Sequence, residues 1–180
     1  MFIIHELMKN KVLFIISFLL YFGTIYGQKS IYDVCRKGTI EELKSIYQND
    51  KNSINVKNKE GHLPITLACY HGNTAVVEFL ADKVENIDGN SDYGTPLMAA
   101  TFKGYNSIIA ILLKHKANPN LTDKQGGTAM HYAVMFKNYE AIKLLKKANA
   151  DFEILDINNK SALDYAKTLN DKKINKILNL

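Results

Sequence analysis

The chain is patterned as short apolar stripes of helical spacing separated by polar connections. In GTPLMAATFKGY, residues 94–105, Leu97, Ala100 and Thr101 fall on one helical face. The same face recurs as Ile65, Ala68 and Cys69, as Met130, Ala133 and Val134, and as Leu163 and Ala166. Each stripe is followed by a second: Val76, Val77, Phe79 and Leu80; Ile108, Ile109, Ile111 and Leu112; Ile142, Leu144 and Leu145. The pattern predicts pairs of short helices. Thr95 supplies a hydroxyl to cap orphan backbone N–H groups, and Pro96 suits the first helical position, where its missing N–H costs nothing. Gly38, Gly72 and Gly104 are expected to end the first helices of their units by adopting left-handed backbone.

The pairs are periodic. Aligned on the residue before the Pro or Ala that opens each first helix, the anchors are Leu63, Thr95, Thr128 and Ser161, with an earlier match at Lys29. Successive spacings are 34, 32, 33 and 33 residues. The irregular steps fall in connections, which absorb length changes cheaply. Ala68, Ala100, Ala133 and Ala166 share one register, so neighbouring helices can approach closely there. The expectation is an all-α solenoid of about five helix–turn–helix units linked by β-turn-like loops. The units run at about 28–58, 59–90, 91–123, 124–156 and 157–180.

On these residues the chain resembles the ankyrin-repeat family. Gly94-Thr95-Pro96-Leu97, Thr128-Ala129-Met130-His131 and Ala117-Asn118-Pro119-Asn120 carry the resemblance, which extends over roughly residues 28–180. There are departures. The family's histidine persists only as His131, with Thr66, Met98 and Asp164 at the equivalent positions. Lys137 and Asn170 stand where a helix-ending glycine is expected, and Tyr93 stands at a turn glycine's position. A phosphate-binding loop would need Gly-Lys-Ser/Thr after its glycines, which GTPLMAATFKGY lacks.

The N-terminus follows another pattern. VLFIISFLLYF, residues 12–22, is uncharged and follows Lys9 and Lys11; GTIYG comes next. A basic start, a short apolar core and small residues predict a signal peptide over 1–27, cleaved after Gly27. Translation from Met8 would give a start free of Glu6 and is the alternative beginning. The protein is accordingly expected to be exported, periplasmic or secreted, with an uncleaved N-terminal anchor as the alternative. No stable membrane insertion is expected after cleavage. The richness in Lys, Asn and Ile suggests a bacterium.

Charge and composition narrow the chemistry. The 180 residues are 47% hydrophobic and 23% charged, an ordinary globular balance, with a formal net charge of +5. The densest basic cluster, Lys143, Lys146 and Lys147, reads as a solvated helix face rather than the long stripe nucleic-acid binding demands. His62, His71, His115 and His131 are scattered, so no metal site is expected. His131 is expected to make a structural hydrogen bond within its unit. Cys35 and Cys69 occupy one register in adjacent units, a spacing too wide for a disulfide, and are expected to remain buried thiols. No nucleophile–base order or useful carboxylate pair appears; the chain is expected to be no enzyme and to hold no cofactor.

Binding is the remaining function class. Arg36-Lys37, Tyr70-His71, Phe102-Lys103, Met135-Phe136 and Thr168-Leu169 close the first helices outside the apolar stripe. In the family these helix ends and the turn tips line a concave surface that holds partners. The tips would be Lys59, Glu60 and His62, then Ser91 and Asp92, Lys124 and Gln125, and Asn158 and Lys160. Tyr70, Phe102, Met135 and Phe136, rimmed by Arg36, Lys37, His71 and Lys103, form the candidate partner-binding stripe. The rings could instead pack against neighbouring units. The expected function is non-catalytic binding of another protein outside the cytoplasm by a monomeric chain. The alternatives are a protective scaffold for a partner enzyme and a secreted host-directed effector.

Overall fold

The computed structural model describes residues 29–91 and 94–180. The chain divides into two units, Met1–Ser30 and Ile31–Leu180, and the fold is that of the second. The expected signal peptide at 1–27, its cleavage point and the start at Met8 lie outside the described residues, as do Asp92 and Tyr93.

Among the described residues, ten α-helices follow one another in pairs. They are α1 (Ile31–Lys37) with α2 (Ile40–Asn49), α3 (Pro64–His71) with α4 (Thr74–Ala81), and α5 (Pro96–Lys103) with α6 (Asn106–Lys114). The last two pairs are α7 (Ala129–Met135) with α8 (Tyr139–Lys147), and α9 (Ala162–Leu169) with α10 (Lys172–Leu178). The only extended pairing among these residues is two isolated bridges, Ser91 with Gly94 and Leu155 with Ser161. First helices stack on first helices and second on second, giving two helical layers.

The core lies between the layers and repeats with the units. Ile65, Leu97 and Met130 are buried on the first helices, as are Val77, Ile109 and Ile142 on the second. Each such side chain contributes on the order of 1.5–3 kcal/mol by leaving water. Ala68, Ala100, Ala133 and Ala166 are fully buried, so a larger side chain there would push two helices apart. Leu163, on α9, is only partly covered.

Caps set the helix ends. Thr95 Oγ1 accepts the Met98 N–H at 3.3 Å, and Ser161 Oγ accepts the Asp164 N–H at 3.1 Å. Gly72 and Gly104 take φ of 76° and 77°, the left-handed conformation that ends α3 and α5. Lys137 and Asn170 take φ of 53° and 47°, so these non-glycine residues adopt the same stop. Gly38 differs from expectation: its φ is not positive, and it is needed for space. A Cβ there would sit 2.6 Å from the Val34 Cα. The longer first connection forms a 3₁₀ helix, Lys51–Asn55, which buries Ile54 and starts where Asp50 accepts the Asn52 N–H.

Candidate functional site

The helix ends and turn tips of the first four units bound a groove of about 660 Å³. The tips are built first. Asp123 Oδ1 accepts the N–H groups of Gln125 and Gly127 at 2.8 and 2.9 Å. Asp156 Oδ1 accepts those of Asn158 and Lys160 at 2.8 and 3.0 Å, and Asn58 Oδ1 those of Glu60 and His62 at 3.1 and 2.8 Å. Each side chain thus pins its own turn. Asn90 occupies the same register, five residues before its anchor, as do Asn58, Asp123 and Asp156 before theirs. That recurrence is a sequence signal the helix pattern does not reveal.

What stands behind the tips differs along the array. In the fourth and fifth units the fourth residue after the anchor is Tyr132 and Tyr165. Tyr132 donates its phenol to Asp123, and Tyr165 donates to Asp156 at 2.6 Å. Burial, then the Asp123 carboxylate, pushes the Tyr132 phenol well above its usual range. His131 closes the same region. Its Nδ1 accepts the Thr128 N–H at 3.1 Å, which leaves Nε2 to donate to the Lys160 carbonyl at 3.1 Å. The histidine therefore joins two units, beyond the bond within one unit that the sequence suggests.

In the second and third units the residues equivalent to Tyr132 are Leu67 and Ala99, both buried. The histidine's place is taken by Thr66 and Met98. Neither Leu67 nor Ala99 can fill the space a tyrosine fills, and the groove opens over them. Thr66, Leu67, Met98 and Ala99 contribute to its lining, and Tyr70, Phe102 and Tyr132 form aromatic walls. Arg36 and His71 lie at the helix-end side; Glu60, His62, Asp123, Lys124 and Gln125 lie at the tips. The Thr66 hydroxyl is buried and has no hydrogen-bond partner among the described residues.

The candidate stripe assembles in part. Tyr70, Phe102, Met135 and Phe136 are 42%, 48%, 47% and 52% exposed, so half of each side chain faces solvent and half packs. The Tyr70 and Phe102 rings stack with centroids 6.5 Å apart, and Phe136 meets Phe102 edge-on at 5.2 Å. Tyr132, not anticipated, joins the row: it stands edge-on to Phe102 at 5.9 Å and parallel to Phe136 at 6.5 Å. Among the eight candidate residues, Arg36, Tyr70, His71 and Phe102 line the groove. Lys103 borders it with its ammonium 4.8 Å from the Tyr70 ring centre. Phe136 extends the ring row, whereas Lys37 and Met135 do not line the groove.

The electrostatics are uneven. The His71 imidazole is held below its ordinary pKa, first by burial and then by Arg36 and Lys103. Arg36 lies 3.3 Å from Asp33 and 3.9 Å from Glu60, both exposed pairs. Cys35 and Cys69 are free and buried; burial pushes the Cys35 thiol up to about 12 and Cys69 further. Such protonated thiols are poor nucleophiles. Among the described residues no group of three His, Cys, Asp or Glu is placed to hold a metal, and no helix is long and apolar enough to cross a membrane.

Comparison with known proteins gives a consistent result. The profile for ankyrin repeats (three copies) matches residues 31–123 and 106–179. An ankyrin repeat protein of Acanthamoeba polyphaga mimivirus is 32% identical over 127 residues, covering 69% of this chain and 17% of its own length. One of Rickettsia felis is 35% identical over 105 residues, 56% of this chain and 34% of the relative. An E3 ubiquitin-protein ligase of Arabidopsis thaliana is 26% identical over 140 residues, 76% of this chain and 9% of the enzyme. The match thus spans between 9% and 34% of the length of these relatives.

Proposed function

Because the chain belongs to the ankyrin repeat family, we propose that it is a protein-binding module whose partner lies in the groove of the first four units. Ankyrin repeats are protein–protein interaction modules, generally without catalytic activity of their own. The observation that carries this reading is the ring row. Tyr70, Phe102, Tyr132 and Phe136 stand in contact beside the groove, and three of them are about half exposed. Aromatic side chains held rigidly on helices gain contact area on binding with little loss of freedom. Lys37 and Met135 flank the surface and contribute at its rim.

The proposed site of action is outside the cytoplasm. Its support is the Lys9, Lys11 and VLFIISFLLYF pattern. Fractionation of the source cells tests it: recovery of a full-length chain from the cytoplasm alone would remove this part of the reading.

The binding proposal is tested in the source cells with a chain tagged at its C-terminus. The wild type is compared with a variant carrying Tyr70→Ala, Phe102→Ala and Phe136→Ala, after circular dichroism establishes that both are folded. A protein recovered with the wild type and lost with the variant supports the groove. A partner retained by the folded variant contradicts it.

A further inference from the structure

The two ends of the groove differ in how their charges are satisfied, and this bears on what it binds. At the turn tips the carboxylates are engaged. Asp123 receives two backbone N–H groups and the Tyr132 phenol, and Glu60 receives the Asn58 amide. At the helix-end side the balance is reversed. Arg36 faces Asp33 and Glu60 only across exposed contacts, and among the described residues no carboxylate pairs with Lys103. The Lys103 ammonium lies over the Tyr70 ring, beside the groove's aromatic wall. His71 stands within the field of both cations. Between the two ends the lining is apolar, from Leu67 and Ala99 to Phe102.

We infer that the groove recognises a partner segment in which an acidic side chain lies beside a large apolar one. The inference rests on the proposed binding function and specifies its chemistry. The apolar side chain enters over Leu67 and Ala99, against the aromatic wall that Phe102 and Tyr132 form together. The carboxylate meets Lys103 and Arg36. Charge complementarity of this kind sets partner choice and approach rate more than total affinity, so it would be sensitive to salt. A basic segment is disfavoured at the helix-end side, where it would meet the like charges of Arg36 and Lys103.

A random dodecapeptide display library selected on the full-length wild-type chain tests this directly. Recovered peptides are then synthesised, and their binding is measured by fluorescence anisotropy. The chains compared are the wild type, Phe102→Ala, and a double variant with Arg36→Gln and Lys103→Glu, each first shown to be folded. The expected peptides carry Asp or Glu beside a large apolar residue. They should lose about tenfold in affinity with the double variant and weaken further as salt rises. Neutral or basic peptides that depend on Phe102 but not on the two cations would overturn the acidic specificity while leaving the groove as the binding surface. Recovery of no peptide, or of peptides indifferent to all three substitutions, would overturn the groove reading itself.

Discussion

The second and third units and the fourth and fifth units share one scaffold yet present different inner surfaces. In the later pair Tyr132 and Tyr165 reach their own turn-tip carboxylates, and His131 bonds across to the next tip. The space between helix and tip is filled by the protein's own side chains. In the earlier pair Leu67 and Ala99 stop short, and Thr66 and Met98 replace the histidine. The groove lies above them and ends against Tyr132 of the fourth unit. One position, the fourth after each anchor, thus marks the change from a closed inner surface to an open one. The scaffold tolerates both because its buried stripes and alanines lie on another face.

Breaking the closed side should have the largest effect. His131→Ala removes a buried side chain that serves two units and leaves the Thr128 N–H and Lys160 carbonyl without their partner. A loss of about 2–3 kcal/mol in urea unfolding is expected. Making the open side resemble the closed one comes next. Ala99→Tyr should fill the groove and weaken partner binding by at least about tenfold, which is about 1.4 kcal/mol, while the melting temperature holds or rises. Titration of a captured partner against both chains checks this.

Thr66→Val sharpens the contrast at smaller scale. The threonine hydroxyl is buried without a partner among the described residues, so the swap should be neutral or stabilise by up to about 1 kcal/mol. The opposite signs expected for His131→Ala and Thr66→Val, at one register in two units, are readable in a single unfolding series.

The smallest effect is one of pH. The Asp156 carboxyl is held at about 2, chiefly by the Tyr165 phenol and then by the N–H groups of Lys160 and Asn158. An unfolded aspartate titrates near ~3.9. The folded value is therefore depressed. The stability it confers is present above about pH 4 and is lost as pH falls toward 2. Tyr165→Phe should make the acid limb of a urea-midpoint series shallower between those values. Leu67→Ile, at the equivalent open position, should leave that limb unchanged.

Much of the scaffold is legible in the sequence because it repeats. The anchors from Leu63 to Ser161 set the helices, and the buried alanines share one register. Lys137 and Asn170 fulfil the stop that glycine performs at Gly104, adopting left-handed backbone although each carries a side chain. Gly38 shows the converse: the same residue type at a helix end serves clearance from Val34. The groove was harder to read. The stripe from Tyr70 to Phe136 is visible from periodicity. Tyr132 is not, because its place in the ring row depends on a bond to Asp123, nine residues earlier and across a turn. Nor does spacing reveal that Arg36 and Tyr70 line the groove while Lys37 and Met135 do not. Those distinctions depend on how the helix ends pack in three dimensions, which a one-dimensional register does not carry.

Site-specific photocrosslinking in the source cells compares the two surfaces most directly. A benzophenone side chain is placed at position 102, over the open groove, and in a second chain at position 165, on the closed side. The account predicts a discrete adduct with another protein from position 102 and none from position 165. An adduct from position 165 alone, or from neither position, would contradict it.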